Sequence, residues 1–134
     1  YKPRVVDAYT NPVTGKQIQI PPIKLRIYPI DKANMRIVQL GLNDCVYAVG
    51  GSCHGLSYLP FSAAAKTGTA QWSNIHDTHA WFTSYAPFNH PRIVVTVLIE
   101  SAGEGSGISE PITEKFYAWW GQYEKKLGSP VDNK

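Results

Sequence analysis

Ala65-Lys66-Thr67-Gly68-Thr69-Ala70-Gln71 is the stretch on which the fold turns, because it heads a pattern of strand, turn and strand. Residues 63–71 read as one strand, His79-Ala80-Trp81-Phe82 through Ala86-Pro87 as a second, and Ile93 through Glu100 as a third. In the second, Trp81, Thr83 and Tyr85 alternate with Ala80, Phe82 and Ser84, the period of two that a half-buried strand requires. The third, Ile93-Val94-Val95-Thr96-Val97-Leu98-Ile99, is almost continuously apolar and predicts a central strand covered on both faces. The short connection Phe88 to Arg92, with Pro91 inside it, predicts an antiparallel hairpin between the last two. A strand that carries a lysine, two hydroxyls and a glycine offers a peptide ligand a backbone edge, a positive potential and donors for a carboxylate. Such a strand binds and polarises, but it holds no nucleophile.

Around this sheet the pattern changes period. Upstream, residues 1–30 contain Pro3, Pro12, Pro21, Pro22 and Pro29, which remove ladder donors and predict an extended lead-in with short strands. A hairpin from Val5-Val6 to Gln17-Ile20 would turn at Asn11-Pro12 and Thr14-Gly15. Residues 31–50 read as an amphipathic helix, with Asp31 as N-cap, Met35, Val38, Leu42, Cys45, Val46 and Val49 at helical spacing, and Gly50-Gly51 as the stop. Ser52 to Phe61 is then a loop leading into the sheet. Residues 109–127 read as a second helix, opened by Ser109-Glu110-Pro111 and closed before Gly128. Its stripe of Ile112, Phe116, Trp119, Trp120, Tyr123 and Leu127 predicts the face that lies on the sheet, and residues 129–134 a frayed tail. The fold class that follows is α+β, a three-stranded antiparallel sheet over residues 62–100 packed by helices, in one domain of 134 residues.

Bulk composition removes several functions. A net charge of +3, with no basic stripe or recognised motif, excludes a nucleic-acid face. No run approaches the about 18 apolar residues of a membrane span, so this segment calls for no membrane contact. Cys45 and Cys53, with Gly50-Gly51 between them to turn the backbone, read either as a disulfide pinning a loop to the end of a helix or as two half-buried thiols. They are too few for a thiolate zinc site. His76 and His79, spaced H-x-x-H beside Asp77, read as part of a polar turn rather than a metal site, and no cofactor is called for. Glu100, Glu104 and Glu110 read as solvated charges of a Gly-rich turn, and Gly103 to Gly107 lacks the lysine of a phosphate loop.

Lys66-Thr67-Gly68, in its order of strands and helices from about Ile30 to Tyr123, resembles the C-terminal part of the transpeptidase domain of class B penicillin-binding proteins, most like the elongation-type penicillin-binding protein 2 branch. The resemblance implies a partial penicillin-binding, β-lactamase-like transpeptidase fold and a parent that cross-links peptidoglycan stem peptides by serine acyl transfer. None of the serines here is followed by Lys three residues on or by Asn two residues on, so the nucleophile and the middle motif are absent and this chain alone is expected to be inactive.

Carried over residue by residue, the resemblance makes Lys66 the cleft lysine and Thr69 the backbone oxyanion donor. Thr67, Gly68 and Thr69 become the binding residues for a D-alanyl-D-alanine terminus or a β-lactam. Gly68 is read as letting the ligand backbone come close. The parent is expected to be membrane-anchored, with this part on the periplasmic side, and the chain, which begins at Tyr1, to be an excised piece. Its expected partners are the missing N-terminal part of the same domain or a second copy paired through an exposed sheet edge. The alternative is a non-catalytic cell-wall assembly or scaffold module of the same fold, and a β-lactamase relative is less consistent with the strand from Trp81 to Pro87.

Overall fold

A computed structural model describes residues 1–128 and 131, so the tail expected at 129–134 falls, Val131 apart, outside the described residues. The chain divides into two compact units, Tyr1–Lys32 and Ala33–Lys134.

The first unit is built on a hairpin of β1 (Ala8–Thr10) and β2 (Gln17–Gln19), with Tyr9 opposite Ile18. Its turn is made by Asn11, whose side-chain oxygen accepts the N–H groups of Val13 and Thr14 while Gly15 closes with φ +68°. The hairpin is shorter than expected and leaves Val5-Val6 outside it. Arg4, ion-paired to Asp7 at 2.6 Å and bonded to the Ile20 carbonyl, occupies that end instead. Pro21 and Pro22 end β2, since neither can donate to the ladder.

The second unit opens one residue into α1 (Lys32–Tyr47), which is followed by a short 3-10 turn (His54–Tyr58), and then by β3 (Ala64–Ala70), β4 (His79–Ala86), β5 (Ile93–Ile99) and α2 (Ser109–Lys126). The sheet is antiparallel throughout, in the order β3-β4-β5, with Lys66 opposite Thr83 and Thr83 opposite Thr96. The α+β architecture is therefore the one read from the sequence. The central strand is β4 rather than β5. Among the described residues β5 is an edge, half-buried at alternate positions and exposed at Val94 and Leu98.

Alternation decides where the core lies. Ala80, Phe82, Ser84 and Ala86 of β4 are buried on one face, and α2 packs there with the 3-10 turn beside it. Phe61 is clasped edge-to-face by Tyr117 at 6.0 Å and Trp120 at 5.4 Å. Val46, Cys53, Leu56, Leu59, Ala63 and Ala65 complete the cluster. The polar atoms in this contact are paired. Ser84 donates to the Tyr117 hydroxyl at 3.1 Å, and Ser109 donates to the Ala80 carbonyl at 2.8 Å. Burial pushes the Tyr117 hydroxyl up to about 12, against the lowering bond from Ser84.

Two faces differ from their expected roles. On α2 the buried side is Ser109, Glu110, Thr113, Tyr117 and Trp120, whereas Ile112, Trp119, Tyr123 and Leu127 are exposed and Phe116 is only half-buried. The reason is close approach. Ser109 and Thr113 are small, and their hydroxyls bond to backbone carbonyls, so the helix can settle on the sheet there. On α1 only Val46 is fully buried, and Met35 and Val38 stay exposed, although the sequence pattern is amphipathic.

Glu110 is the third correction, since it is buried rather than solvated. Its carboxylate accepts the Gly55 N–H at 2.7 Å. Burial raises its pKa, the Gly55 bond lowers it, nearby Glu114 raises it and His54 lowers it, with a net upward shift. The folded chain therefore binds a proton more readily than the unfolded chain. The stabilising contribution is present at acidic pH and is lost as pH rises through the raised folded value. Glu110→Gln keeps an acceptor for Gly55 and removes the charge. In denaturant melts the variant is expected to be the more stable of the two near about pH 7, with the gap closing on acidification. Parallel stability curves would refute this.

Candidate active site

β3 is an edge strand among the described residues, paired to β4 on one side only. Along it Lys66 and Thr69 are exposed, and Thr67 and Gly68 are half-buried, so all four expected site residues reach the surface. Their sides follow from the register: Lys66 and Gly68 pair with Thr83 and Trp81, Thr67 and Thr69 with Phe82 and Ala80. The lysine and the two hydroxyls thus leave the strand from opposite faces of its pleat.

The strand is held at its start by α1. Ala63 donates its N–H to the Tyr47 hydroxyl at 3.2 Å, and its carbonyl accepts from Asn43 at 2.9 Å. Both backbone groups of one residue are therefore satisfied by side chains of one helix, which fixes where β3 begins. Burial raises the Tyr47 pKa, partly offset by the bond from Ala63, so this hydroxyl stays protonated at neutral pH.

Within the strand the Lys66 ammonium donates to the Thr67 carbonyl at 2.7 Å. The Thr67 hydroxyl lies 2.9 Å from that of Ser52. Gly68 has a structural reason beyond ligand approach, since a Cβ there would stand 3.0 Å from the Trp81 Cβ. Gly105 approaches from the loop before α2, where a Cβ would stand 2.0 Å from the Trp81 carbonyl oxygen and 2.8 Å from that of Gly68. Sequence reasoning missed Ser52, Trp81 and Gly105 as neighbours of the strand. The signal for Ser52 was its place beside Gly50-Gly51 and Cys53, in a loop read only as leading into the sheet.

That loop is fastened. Cys45 and Cys53 form a disulfide with Cα atoms 5.2 Å apart. Of the two readings the pair allowed, the structure contains the bridge.

Beyond β3, His76 and His79 do not converge on a shared ion. Each stacks on Trp72 with ring centroids 5.1 Å apart, and the Trp72 indole donates to the Asp77 carbonyl at 3.0 Å. The His79 Nδ1 accepts the Ser101 N–H at 3.0 Å, tying this turn to the one after β5. Among the described residues no group of three or more His, Cys, Asp or Glu side chains is placed to hold a metal ion. No helix among them is long and apolar enough to cross a membrane.

The arrangement as a whole offers an open strand edge, the Lys66 ammonium and the hydroxyls of Thr67 and Thr69. A family profile described as the penicillin-binding protein transpeptidase domain matches residues 1–118. The peptidoglycan D,D-transpeptidase MrdA of Haemophilus influenzae is 31% identical over 118 residues, covering 83% of this chain and 18% of that relative. The crystal structure of Pseudomonas aeruginosa PBP2 in complex with WCK 5153 superimposes with a TM-score of 0.60 at 31% identity, over 74% of this chain and 23% of that one. The D,D-transpeptidase domain of a peptidoglycan glycosyltransferase from Eggerthella lenta gives 0.67 at 28% identity, over 87% and 27% respectively. The chain thus spans about a fifth of the curated relative's length.

Proposed function

The chain belongs to the penicillin-binding protein transpeptidase domain family, and on that premise we propose that it is the carboxyl-terminal portion of a peptidoglycan D,D-transpeptidase of the elongation-type penicillin-binding protein 2 branch. It would supply that enzyme's substrate-binding strand. The observation that carries this reading is the open edge of β3, where Lys66, Thr67, Gly68 and Thr69 all reach the surface.

In this reading a stem peptide ending in D-alanyl-D-alanine lies along β3 as an added strand. The hydroxyls of Thr67 and Thr69 hold its terminal carboxylate, and Lys66 supplies positive potential to the cleft. A serine supplied by the rest of the domain attacks the penultimate carbonyl, and the Thr69 N–H is one of two donors to the developing oxyanion. The terminal D-alanine leaves, and the amine of a neighbouring stem peptide then attacks the acyl-enzyme to form the cross-link. A β-lactam would enter as a mimic of the same terminus and stop at the acyl stage.

Exposure elsewhere fits a partner from the same domain. The edge that β5 forms among the described residues and the exposed stripe of Ile112, Trp119 and Tyr123 on α2 are the surfaces where the remainder of the domain would pack. The disulfide supports a periplasmic location, since such bridges persist in oxidising compartments.

The test separates chain from parent. After incubation with penicillin, the 134-residue chain is expected to keep its unmodified mass, because it has no S-x-x-K serine. The full-length protein is expected to gain one penicilloyl group. An adduct on the short chain would overturn the assignment of the nucleophile, and an unlabelled full-length protein would leave the scaffold reading in its place.

A further inference from the structure

We infer that Ser52 is a positioning residue for Thr67, held in place by the Cys45–Cys53 disulfide. This rests on the reading of Thr67 as a ligand of the substrate carboxylate. Ser52 Oγ lies 2.9 Å from Thr67 Oγ1, across 15 residues of chain. A hydroxyl has one proton and two lone pairs. When Ser52 donates to Thr67, the single proton of Thr67 is left for an incoming carboxylate and is polarised toward it. Without Ser52 that hydroxyl can turn to solvent or to its own backbone.

The geometry of the loop explains why Ser52 stays there. Gly51 donates its N–H to the Ala48 carbonyl at 3.0 Å, and Cys53 donates to the Cys45 carbonyl at 2.9 Å, so the neighbours of Ser52 are bonded to the last turn of α1 and to the residue just after it. Gly51 passes so close to that end that a Cβ would stand 2.3 Å from the Cys45 carbonyl oxygen. His54 Nδ1 lies 3.0 Å from the Val46 carbonyl and holds the following residue. The disulfide closes the clamp, and Cys45 Sγ is itself 3.5 Å from Ser52 Oγ. Cys53 is fully buried, whereas Ser52 faces the strand. A buried covalent anchor next to an exposed hydroxyl gives that hydroxyl little freedom to leave Thr67.

The test uses the full-length protein and two forms of one labelled penicillin, the free acid and its neutral methyl ester. Ser52→Ala is expected to lower the second-order acylation rate for the acid about fivefold, the size of one hydrogen bond, and to leave the rate for the ester unchanged. Ser52→Thr restores the rate for the acid. Replacing both cysteines by alanine gives the same selective loss, and adding Ser52→Ala to that variant changes it no further. A merely structural role would slow both forms equally, and that result, or an unchanged rate for the acid in Ser52→Ala, would overturn the inference. A double cysteine variant with the wild-type acid rate would overturn the clamp. Thr67→Val distinguishes the two levels of the argument. If it selectively slows the acid while Ser52→Ala does not, only the positioning role fails; if it has no effect, the carboxylate reading of the strand falls with it.

Discussion

Lys66→Ala in the full-length protein is expected to lower β-lactam acylation about a hundredfold or more, the loss typical of removing one electrostatic contributor from an acyl-transfer site. Lys66 is exposed, and its hydrogen bond goes to the Thr67 carbonyl of the same strand. Its charge is therefore presented at the edge where a ligand would pair. An exposed substitution on a strand changes stability by within about 0.5 kcal/mol, so the loss of rate should come without a loss of fold. Lys66→Arg keeps the charge but spreads it over a planar fork with different reach, and is expected to recover only part of the rate. The check is the acylation rate constant measured beside a thermal melt. Wild-type acylation by a well-folded Lys66→Ala variant would remove the lysine from the chemistry.

Phe61→Ala is expected to destabilise the chain by about 3–5 kcal/mol, the range for emptying an aromatic site in a packed core. Phe61 is 2% exposed and sits edge-to-face with both Tyr117 and Trp120. Gly121 on α2 is shaped to it, since a Cβ there would meet the Phe61 ring at 2.8 Å. Little of the surroundings can collapse into the space, because the ring is wedged between a helix and the strand it leads into. Two residues on, Ala63 is the point where Asn43 and Tyr47 fix the start of β3. Loss of Phe61 therefore loosens β3 as well as the core. Denaturant unfolding measures the effect, and a change below about 1 kcal/mol would show that this cluster is not the centre of the fold.

Much of this was legible from short windows. Alternation marked β4, an apolar run marked β5, and β3, expected over 63–71, runs Ala64–Ala70. The last helix was expected over 109–127 and spans Ser109–Lys126. What failed was the choice among apolar surfaces. Ile112, Trp119 and Tyr123 looked like the inner face of α2 because they recur at helical spacing with Phe116 and Trp120, yet Thr113 and Tyr117 lie inside beside Trp120. A helix apolar on both sides cannot report which side meets the sheet. The apolar run of β5 failed for the same reason, since apolar residues on both faces do not say which neighbours cover them.

By itself the sequence determined the elements and the chemical character of the strand at 66–69, because periodicity and side-chain identity are properties of adjacent residues. Only the tertiary structure decided that Ser52 meets Thr67, that Glu110 is buried against Gly55 and that Ser84 meets Tyr117. Those pairs are separated by 15, 55 and 33 residues. Contacts of that kind come into being when the helices close on the sheet, and no local pattern encodes which hydroxyl or carboxylate will then face which partner.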